Sequence, residues 1–118
     1  MEAVSFITTD SGDDLIVSFA IPGTAPMQVK SLILLRTPRF EGLLDTDERG
    51  VTVSYDDYPN EDDDFLQVIA LRAESVDIIT TRRRYTLNVQ KVDEEDLKEA
   101  REVLKQMNFD QRFVLRLP

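Results

Sequence analysis

The chain has 118 residues, 42% of them hydrophobic and 31% charged, which suits one self-sufficient core and argues against disorder. It contains no cysteine and no histidine, excluding disulfides, thiolate nucleophiles, Cys/His zinc sites, imidazole general bases and any histidine-centred triad. Its net charge of −9 argues against direct binding of nucleic acid, whose phosphates call for an excess of Lys and Arg on one face.

From the N-terminus, EAVSFITT (2–9) and DLIVSFAI (14–21) are β-rich runs on either side of DSGD, whose Gly and Asp suit a tight connection, and the pair predicts a hairpin. PGTAP (22–26) interrupts regular structure twice with proline, after which SLILLR (31–36) reads as a buried strand ended by TPRF. LLDTDERG is expected as a turn or a short helical piece, and VTVSY (51–55) alternates as a strand does. FLQVIALR, SVDIIT and YTLNV follow, each bounded by polar residues, and continue an antiparallel meander spanning 51–89.

The single long helix is expected over 93–107, DEEDLKEAREVLKQM. Asp93 stands at the N-cap with Asp96 in a capping-box variant, acids fill the first turn, and Lys105 lies near the end. Leu97, Ala100, Val103, Leu104 and Met107 form one apolar stripe that must lie on a sheet. RFVLRL (112–117) makes a last strand. The expected fold is therefore a single α+β domain over residues 1–118, a mainly antiparallel sheet of about seven or eight strands carrying one late helix.

The N-terminus has no basic region leading into an apolar run, and LILL (32–35) is far too short to span a bilayer. A cytoplasmic location without membrane contact is the expectation. Unpaired strand edges, with FLQVIAL and FVLRL as the apolar runs, leave a homodimer open.

Charge is distributed unevenly. Residues 41–66 hold ten acids (Glu41, Asp45, Asp47, Glu48, Asp56, Asp57, Glu61, Asp62, Asp63, Asp64) against Arg49 alone, while the remaining 13 acids and 13 bases cancel. The densest stretch is DDYPNEDDDF (56–65). As a metal site it fails the EF-hand pattern, since no glycine stands at the turn and Phe65 and Leu66 replace ligands; neither metal nor cofactor is expected. Carboxylate-pair catalysis would require one acid kept protonated in an apolar cleft, and an open loop of acids does not supply that, so no enzymatic activity is expected.

The reading preferred from the residues is a non-catalytic interaction domain, of the inhibitor, immunity or accessory kind, that presents segment 41–66 to the basic surface of a partner protein. Asp56, Asp57, Tyr58, Glu61, Asp62, Asp63 and Asp64 are the candidate contacts, with Tyr55, Tyr58 and Phe65 as apolar anchors. A loop whose charges only solubilise it and deter edge pairing competes with that reading.

TTRRRYTL (80–87) carries the densest positive charge, Arg82, Arg83 and Arg84, followed by Tyr85 as a stacking face. Arginine forks recognise phosphate and carboxylate, so a small-ligand or anion-binding module using Arg82–Arg84, with Arg36 and Arg39 of RTPRF, is the alternative function. In a meander, the connections at 56–64 and 82–84 fall at the same end of the sheet, within about 10 to 15 Å of each other. The acidic loop and the arginine turn should therefore be neighbours, with Asn108, Asp110 and Arg112 returning to the same end.

Overall fold

In the computed structural model, which describes residues 1–118, nine strands and two helices follow the chain as β1 (Glu2–Ala3), β2 (Phe6–Ser11), β3 (Leu15–Pro22), β4 (Val29–Arg36), α1 (Pro38–Glu41), β5 (Thr52–Tyr55), β6 (Leu66–Leu71), β7 (Ser75–Thr80), β8 (Arg84–Asn88), α2 (Glu94–Met107) and β9 (Val114–Arg116). The strands divide into two sheets, one of order β2-β3-β4-β5 and one of order β1-β8-β7-β6-β9, both mostly antiparallel. The fold is α+β with its one long helix late in the chain, as expected, but the strands number nine and share two sheets. No helix is long and apolar enough to cross a membrane.

The first hairpin forms where the residues predict it. β2 and β3 pair antiparallel from Phe6↔Ala20 to Ser11↔Leu15, and the Asp10 carboxylate accepts the Gly12 N–H at 2.9 Å to shape the turn. The N-terminal run is nevertheless divided. Glu2 and Ala3 pair parallel to β8, the Val4 N–H bonds the Asn88 carbonyl, and the Ser5 N–H bonds the Ala20 carbonyl, so the chain steps from one sheet to the other around buried Val4.

The meander is also shorter than expected. β6, β7 and β8 follow one another in antiparallel order, but β5 pairs along its length with β4 and meets the start of β6 only at the bridge Thr52↔Phe65. The intervening loop is too long for a tight hairpin, and Asp63 adopts a left-handed backbone (φ 58°) that breaks the extended run. The two bonds of that bridge, Val53 N–H to the Asp64 carbonyl and Leu66 N–H to the Val51 carbonyl, stitch the sheets together there.

Alternation decides what lies inside. Leu15, Val17, Phe19 and Ile21 of β3 are buried, as are Leu32 and Leu34 of β4, and they join Ile69, Ile78 and Leu87 of the other sheet in one cluster of 25 buried residues. Leu97, Ala100, Val103, Leu104 and Met107, the expected stripe of α2, close this core against β2 and β3. Asp93 occupies the N-cap in extended conformation, yet its side chain makes no capping bond, so the capping box is absent. Glu94, Glu95 and Asp96 in the first turn still complement the helix dipole.

Candidate functional site

The arginine turn between β7 and β8 is built by threonines and one aspartate. Thr80 Oγ1 accepts from the backbone N–H groups of Arg82 (3.2 Å) and Arg83 (3.1 Å). Asp64 is buried against this turn: its carboxylate accepts the hydroxyls of Thr80 (3.0 Å) and Thr81 (2.8 Å) and the Arg82 N–H (3.1 Å). The Thr81 hydroxyl accepts the Phe65 N–H, and the Thr81 N–H returns to the Phe65 carbonyl. One carboxylate of the acidic run thus fastens the loop to the turn, and the two are neighbours as expected.

Most of the acidic loop is occupied by the chain itself. Glu61 pairs with Arg83, whose guanidinium lies 3.5 Å from the centre of the Tyr58 ring. Arg82 donates to the Asp62 carbonyl at 2.6 Å, and Arg84 lies 3.5 Å from Asp77. Asp57 holds Lys30 at 2.9 Å, a hydrogen bond that raises the lysine's pKa, and Asp56 accepts the Ser31 N–H at 2.9 Å. Among the residues expected to meet a partner, Asp56, Asp57, Glu61 and Asp64 are bonded within the chain, whereas the Asp62 and Asp63 carboxylates point to solvent without an ion pair. No group of three or more carboxylates is placed to hold a metal ion.

Arg36 leaves the anion-binding set. It ends β4 on the inward face with Leu32 and Leu34, is 1% exposed, and uses all five of its N–H donors. Two go to Glu41 (2.8 Å each), two to Asp110 (2.8 Å each) and one to the Met107 carbonyl (2.7 Å), leaving none for a ligand. Phe109 covers it, with its ring centre 4.2 Å from the guanidinium carbon. The hydrogen bonds from Arg36 hold the carboxyls of Glu41 and Asp110 below the ordinary carboxylate range. Asp110 and Arg112 accordingly converge on this cluster rather than on the arginine turn: Arg112 bonds Asp110 at 2.7 Å and the carbonyl of Thr46 at 2.8 Å. Arg39 lies exposed, 3.1 Å from Asp13 and over the ring of Phe40.

The connection from α1 to β5 holds what the residues alone left unmarked. After α1 the chain runs through a single 3-10 turn, Thr46–Glu48, with Phe40 (52% exposed), Leu43 (86%) and Leu44 (40%) facing outward. Asp45, Asp47 and Glu48 beside them are exposed and take part in no ion pair. Asp47, Glu48 and Asp63 line one concavity of about 470 Å³ with Leu44, Thr52 and Phe65. A second of about 200 Å³, sharing Leu44, Glu48 and Thr52, extends the surface to Phe40. The anchors expected from the residues sit differently: Tyr55 is buried and Phe65 partly so, while Tyr58 is the exposed one. Segment 41–66 was marked by charge, but no local pattern separates GLLD as an outward apolar corner from GLLD as a core turn. No family model matches the chain, and no curated protein or solved structure is significantly similar to it.

Proposed function

We propose that the chain is a non-catalytic interaction domain that presents its acidic segment, residues 41–66, to the basic surface of a partner protein, as an inhibitor, immunity or accessory protein would. One observation carries this reading: carboxylates without internal partners (Asp47, Glu48 and Asp63) surround a concavity that contains exposed Leu44. An apolar anchor ringed by charge is the arrangement in which burial supplies affinity and charge supplies orientation and encounter rate. Its centre lies nearer Leu44 than Tyr58, because four acids of the 56–64 loop already have partners in the chain. Carboxylates that only solubilised a loop would not need Phe40, Leu43 and Leu44 exposed beside them.

The test has two arms. The intact protein is used to capture its partner from native cells at low and high salt, and the isolated pair is then measured by calorimetry. Asp47→Asn/Glu48→Gln/Asp63→Asn should weaken binding at least tenfold, about 1.4 kcal/mol, and flatten its salt dependence. Leu44→Ser should weaken binding with the salt dependence intact. Equal affinity of both variants and the parent chain would dismiss the acidic face as the contact surface.

A further inference from the structure

The chain has three tyrosines and no tryptophan. All three, Tyr55, Tyr58 and Tyr85, line a single concavity of about 590 Å³ together with Arg82, Arg83 and Arg84. The Tyr55 ring stands edge-on to Tyr85 with centres 5.8 Å apart, and tilted to Tyr58 at 6.2 Å. This volume falls within the range of pockets that hold small organic ligands, roughly 300 to 1,000 Å³.

Its polar lining is richer in donors than in acids. Arg83 is spent on Glu61 and Tyr58, apart from a buried Nε with no partner. Arg82 makes one side-chain bond, to the Asp62 carbonyl, and keeps guanidinium donors to offer, whereas Arg84 alternates with Tyr85 along β8 and turns to Asp77 on the opposite face. The tyrosine hydroxyls are further donors in the wall. The acids lining the same space are Glu2 and Asp57, and Asp57 is matched by Lys30. In a chain of charge −9 this is an aromatic recess with one free guanidinium, on a turn that Asp64, Thr80 and Thr81 hold in place.

We propose that the recess between Tyr55, Tyr58, Tyr85 and the arginine turn binds a small organic anion, a flat ring bearing a phosphate or carboxylate. Arg82 forks the anionic group, and the tyrosines receive the ring. Forked guanidinium bonds and aromatic contact are the two interactions these side chains offer together, and neither a neutral ring nor a bare anion uses both. The site is independent of the docking surface around Leu44.

Because every tyrosine lies in this recess, labelling tyrosine rings with ¹³C gives NMR signals that report on it alone. The protein is titrated with phenyl phosphate, benzoate, inorganic phosphate and phenol, with affinities checked by calorimetry. Saturable shifts of the tyrosine signals are expected with phenyl phosphate or benzoate, and the stronger of the two identifies the anionic group. Inorganic phosphate and phenol should bind at least tenfold more weakly. Arg82→Gln, whose side chain is exposed and outside the core, should abolish the response while leaving the circular dichroism spectrum unchanged. The proposal is overturned if no ring-bearing anion gives a saturable shift. It is equally overturned if inorganic phosphate binds as tightly as phenyl phosphate, or if binding survives in Arg82→Gln.

Discussion

Replacing Arg36 with methionine tests what closes the C-terminal end of the core. The substitution keeps most of the side-chain length and removes five hydrogen bonds at once: two to Glu41, two to Asp110 and one to the Met107 carbonyl. Glu41, with 11% of its side chain exposed, then becomes a nearly buried carboxylate without a counter-charge. Asp110 suffers less, since it is 31% exposed and keeps Arg112 at 2.7 Å. Breaking a buried pair from one side costs about 3–5 kcal/mol. For 118 residues the unfolding entropy is roughly 0.25 kcal/mol/K, so the melting temperature should fall by about 12–20 °C.

Urea and thermal unfolding followed by far-UV circular dichroism measure the loss. Adding Glu41→Leu to Arg36→Met removes the stranded charge and should recover part of it, because the cost lies in an uncompensated ion rather than in lost attraction alone. Acid supplies a second readout. Glu41 and Asp110 titrate below their ordinary values in the folded chain, chiefly through the hydrogen bonds from Arg36. Their contribution is therefore full above the unfolded carboxylate pKa of about 4 and is lost as the pH falls through the lower folded values. The parent chain should lose stability steeply below about pH 4, and Arg36→Met less steeply. A loss under about 1 kcal/mol for the single variant, or a double variant no more stable than the single, would refute the assignment of Arg36 as the centre of this network.

Asp64→Ala should cost about 1–3 kcal/mol in urea unfolding, because it removes the acceptor that ties the hydroxyls of Thr80 and Thr81 to the loop, although the Arg82 N–H keeps Thr80 Oγ1 and the Thr80 hydroxyl keeps the Arg83 carbonyl. By contrast, Asp47→Asn/Glu48→Gln/Asp63→Asn breaks no ion pair and should leave stability within about 0.5 kcal/mol, which keeps its binding phenotype interpretable. Gly50→Ala should destabilise by about 1–3 kcal/mol through its backbone (φ 131°), since a methyl there would meet only ordinary contacts with Phe65 and Arg112. Burial pushes the Tyr85 hydroxyl up to about 12 and raises Tyr55 as well, so absorbance at 295 nm should show these two ionising late. The fold should lose stability as the pH rises above the unfolded tyrosine value of about 10.

What the residues disclose in advance follows the range of the interaction. The α2 stripe and the alternation of β3 are local periodicities, and each buries the residues it marks. Arg36 shows where such reading could have gone further: it keeps the period-two register of Leu32 and Leu34, so alternation alone turns it inward, against the habit of assigning arginine to a surface. Glu41 lies only five positions on, but Asp110 was not accessible in the same way, because it lies 74 positions away and only the return of the chain after α2 delivers it. The division into two sheets is equally non-local, since β5 alternates identically whichever strand it pairs with.

The acidic run makes the same point for function. Asp62, Asp63 and Asp64 are consecutive and chemically identical, yet one is buried under the arginine turn while the other two face solvent. Composition counts all three as available charge, whereas the fold assigns each by what stands opposite it. A carboxylate already held by Thr80, Thr81 or Arg83 can meet a partner only by first giving up that bond, which opposes binding by the free energy of the internal contact. Asp47, Glu48 and Asp63 carry no such cost, so neutralising them should affect recognition before it affects the fold, and neutralising Asp64 should do the reverse. The contrast between these two substitutions separates charge that recognises from charge that builds.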